Sequence, residues 1–179
     1  YTDADNADRR TTYLTTVSDM LVGHLELMVN AWAEGQTNYR ADFAAASNED
    51  ALGRVLTGMV VLSGFETGGE RLQTALDTGL QEDEHSCFSD NTHRDMVQDV
   101  QGISNVWKGT YTKLDGVEHS GTGVHDVIKA ADADLAAKIN TQIAESLALA
   151  KGLQVPFDQE IKAGNTAGNA RVQALIDSL

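Results

Sequence analysis

Between Gln81 and His93 the chain reads Gln-Glu-Asp-Glu-His-Ser-Cys-Phe-Ser-Asp-Asn-Thr-His, which sets the carboxylates of Glu82, Asp83, Glu84 and Asp90, the imidazoles of His85 and His93, and the thiol of Cys87 within thirteen residues. Carboxylate and imidazole together suit iron, zinc and manganese, which lie between hard and soft ligand preferences. Asp90 and His93 are three apart at an expected helix start, which would put both on one face, as in the ligand pairs of di-iron bundles. The match is loose, because those bundles use several such pairs and this chain shows one. The residues alone leave a second reading open: a solvated acidic connection in which Asp90 is the N-cap of the next helix, favoured there by the helix dipole. Cys87, beside Phe88, reads as a packed thiol.

The elements that must position this segment are helices. Leu14, Val17, Leu21, Leu25, Met28 and Trp32 recur at spacings of three and four, so a first helix is expected from Asn6 or Asp8 to Glu34, stopped by Gly35. A short helical turn around Tyr39–Ala45 follows. Ser47, three residues before Asp50, opens a second long helix with Leu52, Val55, Leu56, Met59 and Leu62 on its apolar face. Gly53, Gly58, Gly64, Gly68 and Gly69 dot that helix. They imply either close approach of a neighbouring backbone or a break near Gly68-Gly69 that presents Glu70 and Arg71. Leu80–Ser89 has no helical period and reads as a loop. Ser89 or Asp90 is expected to cap a third helix, whose stripe is Met96, Val97, Val100, Ile103 and Trp107. Thr110–Gly123 suggests a small hairpin turning at Asp115-Gly116. A short helix around Val124–Ala131, leading through Asp132 into a long one over Leu135–Leu153 that Val155-Pro156 stops, and a last one near Val172–Leu179 complete the chain. The expected architecture is all-α: residues 1–179 as one up-down helical-bundle domain of about four long helices plus short ones.

Composition agrees. One proline in 179 residues suits long helices. The net charge of -14 repels phosphate backbones and anionic lipid, so no nucleic-acid partner is expected. Cys87 is the only cysteine, so no intrachain disulfide can form. No apolar run approaches the roughly 20 residues that span a bilayer, so no transmembrane segment is expected in this chain. The opening Tyr1-Thr2-Asp3, with no initiator methionine, reads as the start of a processed or excised piece.

The polar run Gln81–His93, preceded by Gly69-Glu70-Arg71-Leu72, closely resembles the signature of the C-terminal half of the imelysin family. Val155-Pro156-Phe157-Asp158-Gln159 also resembles that family, as does Arg9-Arg10-Thr11-Thr12-Tyr13-Leu14 feeding a helix that ends in Ala31-Trp32. The resemblance covers essentially the whole chain. It implies a bacterial protein of the periplasm or outer cell envelope that takes part in iron uptake or iron regulation. It also implies an all-helical fold of two bundle-like halves with a site in the crevice between them. By the resemblance, Glu70, Arg71, Glu84, His85, Ser89, Asp90 and His93 fall on signature positions. His85, Asp90 and His93, with Glu70 and Glu84, would face a metal, iron before zinc. Arg71 would orient a carboxylate through a bidentate pair, and Ser89 would support. The site's partner would be an N-terminal half of the same protein, or a separate chain, that completes it.

The family was first classed among metallopeptidases, and its G-x-H-x-x-E motif lies in the N-terminal half. Here Gly23-His24-Leu25-Glu26 sets His and Glu two apart, on different helix faces, so His24 reads as a surface or partly buried helix residue. No H-E-x-x-H exists in this chain. Three alternatives to a metal-binding protein therefore remain: a metallopeptidase, a haem carrier using a ligand such as Met96, or an interaction module whose acidic loop is merely solvated. His119 and His125 read as exposed.

Overall fold

The computed structural model describes residues 4–179, and the opening Tyr1-Thr2-Asp3 lies outside the described residues. Among the described residues the protein is all-helical apart from one two-stranded hairpin. It divides into two compact units, Tyr1–Gly53 and Arg54–Leu179.

In the first unit, α1 spans Ala7–Trp32 and has no buried residue; its apolar positions, from Leu14 to Trp32, are all exposed. Gly35 adopts a φ of 69°, as a stop after the helix requires. The helix α2 (Tyr39–Ala45) is held to the end of α1 by an aromatic cluster in which Trp32 lies 5.2 Å from Tyr39 and 5.7 Å from Phe43. Asn38 joins the two helices. Its Oδ1 accepts from the Ala41 N–H at 3.2 Å as the cap of α2, while its Nδ2 donates to the carbonyls of Asn30 and Ala33 at 2.7 and 2.9 Å.

Helix α3 (Asn48–Val60) opens as expected, with the Ser47 hydroxyl accepting from the Asp50 N–H at 3.1 Å. It continues without a break into a π-helical run, Val61–Gln73, and then into α4 (Thr74–Thr78), which stops at Gly79 with φ 64°. The break expected near Gly68-Gly69 is thus absent, and the helix instead widens to i→i+5 bonding. No neighbouring backbone approaches these glycines either: an added Cβ at Gly53, Gly58 or Gly64 would meet nothing within 4 Å, and at the buried Gly68 it would make ordinary contact with the Leu179 side chain at 3.7 Å.

Four long helical stretches build the second unit: the run ending in α4, α5 (Thr92–Lys108), α7 (Ala133–Lys151) and α9 (Thr166–Ser178). Each packs on its predecessor, and α9 returns to the π-helical run. The core is made by Leu72, Met96, Val100, Phe157, Val172 and Leu175, all at most 1% exposed. The stripe expected on α5 is therefore the buried face, and Met96 is spent on packing. Strands β1 (Thr110–Thr112) and β2 (Glu118–Ser120) pair antiparallel with Thr110 opposite Ser120. Gly116 in the intervening turn has φ 82°, and Asp115 accepts from the Val117 N–H at 2.9 Å. Helix α6 (Val124–Ala131) follows, and Asp132 caps α7 through the Leu135 N–H at 2.9 Å.

Two features were not expected. Helix α8 (Phe157–Ile161) follows the cis Val155–Pro156 bond, and α9 begins at Thr166 rather than near Val172. The Asn165 side chain caps α9, accepting from the Gly168 N–H at 3.0 Å. Among the described residues no helix is long and apolar enough to cross a membrane.

Candidate functional site

The segment Gln81–His93 folds as a 3-10 turn (Gln81–Asp83) and irregular turns that lie against the start of α5. Three hydrogen bonds tie it there. The Ser86 N–H donates to the Thr92 hydroxyl at 3.0 Å, the Ser86 hydroxyl donates to Asp95 Oδ2, and His85 Nδ1 lies 3.0 Å from the same oxygen. Asn91 Nδ2 donates to Asp95 Oδ1 at 3.0 Å. Asp95, in the first turn of α5, thus gathers Asn91 from beside it and His85 and Ser86 from the loop.

The two carboxylates four apart on α5 are driven in opposite directions. Burial works to raise Asp95, but hydrogen bonds from Ser86 and His85 outweigh it and hold the carboxyl below its ordinary value. For Asp99 burial wins and the pKa rises, although Thr67 Oγ1, on the π-helical run, donates to it at 3.2 Å. Thr67 itself is completely buried.

Glu84 is 5% exposed, and neither carboxylate oxygen has a hydrogen-bond partner of good geometry. Burial raises its pKa, the nearby Thr92 hydroxyl offsets only part of that, and the charges of Asp158 and Asp90 add to the rise. His93, in the first turn of α5, has a buried Nδ1 that is also without a partner.

The remaining residues singled out from the sequence are dispersed. Asp90 does not cap α5, and neither does Ser89. The helix starts at Thr92 with Asn91 at the cap position, and Asp90 is exposed at φ 52°, so helical spacing does not bring it onto the face of His93. The cause is local: Asn91 takes the turn-closing role, its carbonyl accepting the N–H groups of Arg94 and Asp95. Ser89 is exposed and donates to the Ser86 carbonyl at 3.4 Å. Glu70 is exposed on the π-helical run. Arg71 makes one contact to Glu66 at 3.2 Å rather than a bidentate pair. The two are five residues apart, the separation that i→i+5 geometry stacks. Cys87 is partly buried while Phe88 is 99% exposed, so the two do not pack as a pair. His24 and His119 are exposed, whereas His125 stands edge-on to Trp107 with ring centroids 5.6 Å apart. Among the described residues no three His, Cys, Asp or Glu side chains converge in a way that could hold an ion.

Sequence reasoning missed Asp95, Asp99 and Thr67. A signal existed for the first two: on α5 they sit four apart, each one residue before a stripe position (Met96, Val100), hence on the flank of the buried face. Nothing pointed to Thr67, because its partnership depends on the π-helical register.

Apart from this polar cluster the second unit holds an apolar cleft of about 320 Å³, lined by Leu56, Met59, Val100, Ile103, Trp107 and Leu179 among others.

No curated protein matches the chain. A family model does, over residues 1–179, and it is that of imelysin. With the match spanning every residue, the chain belongs to the imelysin family.

Proposed function

We propose that this imelysin-family chain is a metal-binding protein of the bacterial periplasm or outer cell envelope that serves iron uptake or iron regulation, and that Gln81–His93 supplies part of its metal site. The observation that carries the reading is Glu84. A carboxylate 5% exposed, whose burial only the nearby Thr92 hydroxyl offsets, is costly unless something cationic or a proton meets it. The partnerless Nδ1 of His93 and the exposed ring of His85 supply nitrogen donors in the same segment. Iron takes this mixture of oxygen and nitrogen ligands, and zinc is the alternative. A closed structural site of the zinc type wants about four protein ligands and an open one about three. Because three such side chains do not converge among the described residues, these donors fit half of a shared site, completed by an N-terminal half or a separate chain. When bound, the ion would supply a positive charge that offsets the burial of Glu84. The protein's own share is to hold the loop against α5 and keep water from the Glu84 oxygens.

The test is calorimetric titration of Fe(II) and Zn(II) into the complete protein and into its Glu84→Gln, His85→Ala and His93→Ala variants, with thermal melts as the folding control. Binding should weaken at least tenfold in the folded variants, on the scale of a lost donor. If all of them bind like the parent, the segment is a structural loop and the metal reading fails.

A further inference from the structure

We propose that α1 is a self-association surface, which pairs antiparallel with α1 of a second copy of this chain about a two-fold axis at Leu21. No residue of the metal reading takes part.

Helix α1 runs for 26 residues, about 39 Å at 1.5 Å per residue, and buries none of them. Leu14, Val17, Leu21, Leu25, Met28 and Trp32 nevertheless form one stripe, and each is between 43% and 60% exposed. A helix with such a face draws its stability from whatever packs against it. The stripe leaves on the order of 600 Å² uncovered, and Tyr13, Met20 and Leu27 on its flank raise the total to about 1,000 Å². Those values lie either side of the ~800 Å² that each partner of a stable, specific complex buries. Monomeric proteins seldom expose a contiguous apolar patch beyond a few hundred Å².

The order of the residues identifies the occupant. Counted from Leu21, the apolar positions fall at −7, −4, 0, +4 and +7, which are Leu14, Val17, Leu21, Leu25 and Met28. The pattern reads the same in both directions. An isologous two-fold contact requires that symmetry, because a residue i that meets j is met by j in return. Antiparallel pairing about Leu21 sets Leu14 against Met28 of the second copy, Val17 against its Leu25, and Leu21 against its equal. Eleven residues to either side, Arg10, held by its Nε on the Asp5 carbonyl at 2.9 Å, comes beside the half-exposed Trp32, a cation next to an indole. The helix polarity agrees. Arg9 and Arg10 open α1, at the end where its dipole disfavours them, and its last turn holds no basic residue. In the antiparallel pair each copy's arginines reach the other's C-terminal end, where the dipole favours them. Asp8, Asp19 and Glu26, eleven and seven residues apart, share a line on the far side of the helix, so no carboxylate enters the seam. That acidic far side also disfavours a lipid surface as the occupant, for which the polar face would be basic.

The experiment is sedimentation equilibrium of the full chain over a range of concentrations, comparing the parent with Leu21→Glu, with thermal melts as the folding control. The parent should dimerise. Leu21→Glu sets two carboxylates together at the axis and should weaken association by at least about a hundredfold. Two further variants, Leu21→Cys and Leu14→Cys, each in a Cys87→Ser background, read the register with little risk to folding. Oxidation should link Leu21→Cys into covalent dimers, because the two copies of that position meet at the axis. Leu14→Cys should stay unlinked, because its two copies sit about 21 Å apart along the seam, beyond the reach of a disulfide. A parent that stays monomeric at the highest concentration overturns the proposal, as does one whose α1 binds phosphatidylcholine vesicles instead of a second copy. A dimer indifferent to Leu21→Glu, or cysteine variants that both link or both fail to link, overturns it as well.

Discussion

Replacing Glu160 by glutamine tests the clearest electrostatic element of the fold. Glu160 is 2% exposed on α8 and accepts from Arg171 of α9 through Nε at 2.8 Å and Nη2 at 2.5 Å, and from the Gln154 N–H at 3.2 Å. Removing one partner of a buried ion pair costs about 3–5 kcal/mol when the other charge is stranded. Arg171 would not be stranded, because its side chain is 39% exposed and water can take over its donors. What remains is the loss of hydrogen bonds to a charged acceptor, about 1.5–3 kcal/mol, so we expect Glu160→Gln to destabilise by about 2 kcal/mol at pH 7. In a chain of this size that corresponds to a fall in Tm of roughly 4–8 °C. The pH dependence supplies the sign. Hydrogen bonds from Arg171 lower the Glu160 pKa below its ordinary 4.5, burial opposes them, and the Gln154 N–H adds to the lowering. The stability Glu160 contributes is therefore present above pH 4.5 and is lost as the pH falls through the lower folded value. Urea melts from pH 7 to pH 3 should show the gap between parent and variant closing below about pH 4. A gap that is absent at pH 7, or that stays constant down to pH 3, would refute the reasoning.

Gly168→Ala should destabilise by about 1–3 kcal/mol, because the new Cβ would sit 2.5 Å from the Glu160 carbonyl oxygen and 2.8 Å from its Cα, backbone atoms that cannot swing aside; the urea midpoint reads this directly. Glu84→Gln should raise the Tm of the metal-free protein at pH 7 by a few degrees, about 1 kcal/mol, since it removes a buried, partnerless charge. The same variant should lose metal affinity, and a Tm that falls instead would show that the Glu84 carboxylate is satisfied in the fold.

The helices were legible wherever local signals decided them. Tyr39–Ala45 and Val124–Ala131 match their expected bounds, and the α5 stripe from Met96 to Trp107 is the buried face it was read to be. The cap written in the Ser47 side chain was also legible, because it acts within three residues; that of Asp132, which acts over the same distance, was overlooked. The start of α5 was misplaced because Ser89, Asp90 and Asn91 are all competent caps, and choosing among them depends on how the loop docks. The start of α9 was missed because Gly-Asn-Thr-Ala-Gly reads as a polar loop until Glu160 is seen against Gly168. At the site, residue types were visible and geometry was not. His85 was named, but its partner Asp95 lies ten residues on, and that pairing exists only once the loop folds back on α5.

The wide run Val61–Gln73 acts as an indexing collar between the two ends of one long rod. Successive residues of an α-helix advance by about 100°, whereas an i→i+5 ladder accommodates extra residues in each turn. The number of residues in the run therefore sets the angle between what lies above it and what lies below. At its lower end are Leu72, in the last turn of the run, and Ala75, just past it, both sunk in the core; above are Leu56 and Met59, which line the apolar cleft. Deleting a single residue inside the collar would swing one set past the other by about 100°: with Leu72 kept in place, Leu56 and Met59 would leave the cleft and the smaller Val55 and Gly58 would take their positions. The length of this glycine-rich stretch should accordingly be harder to change than its composition.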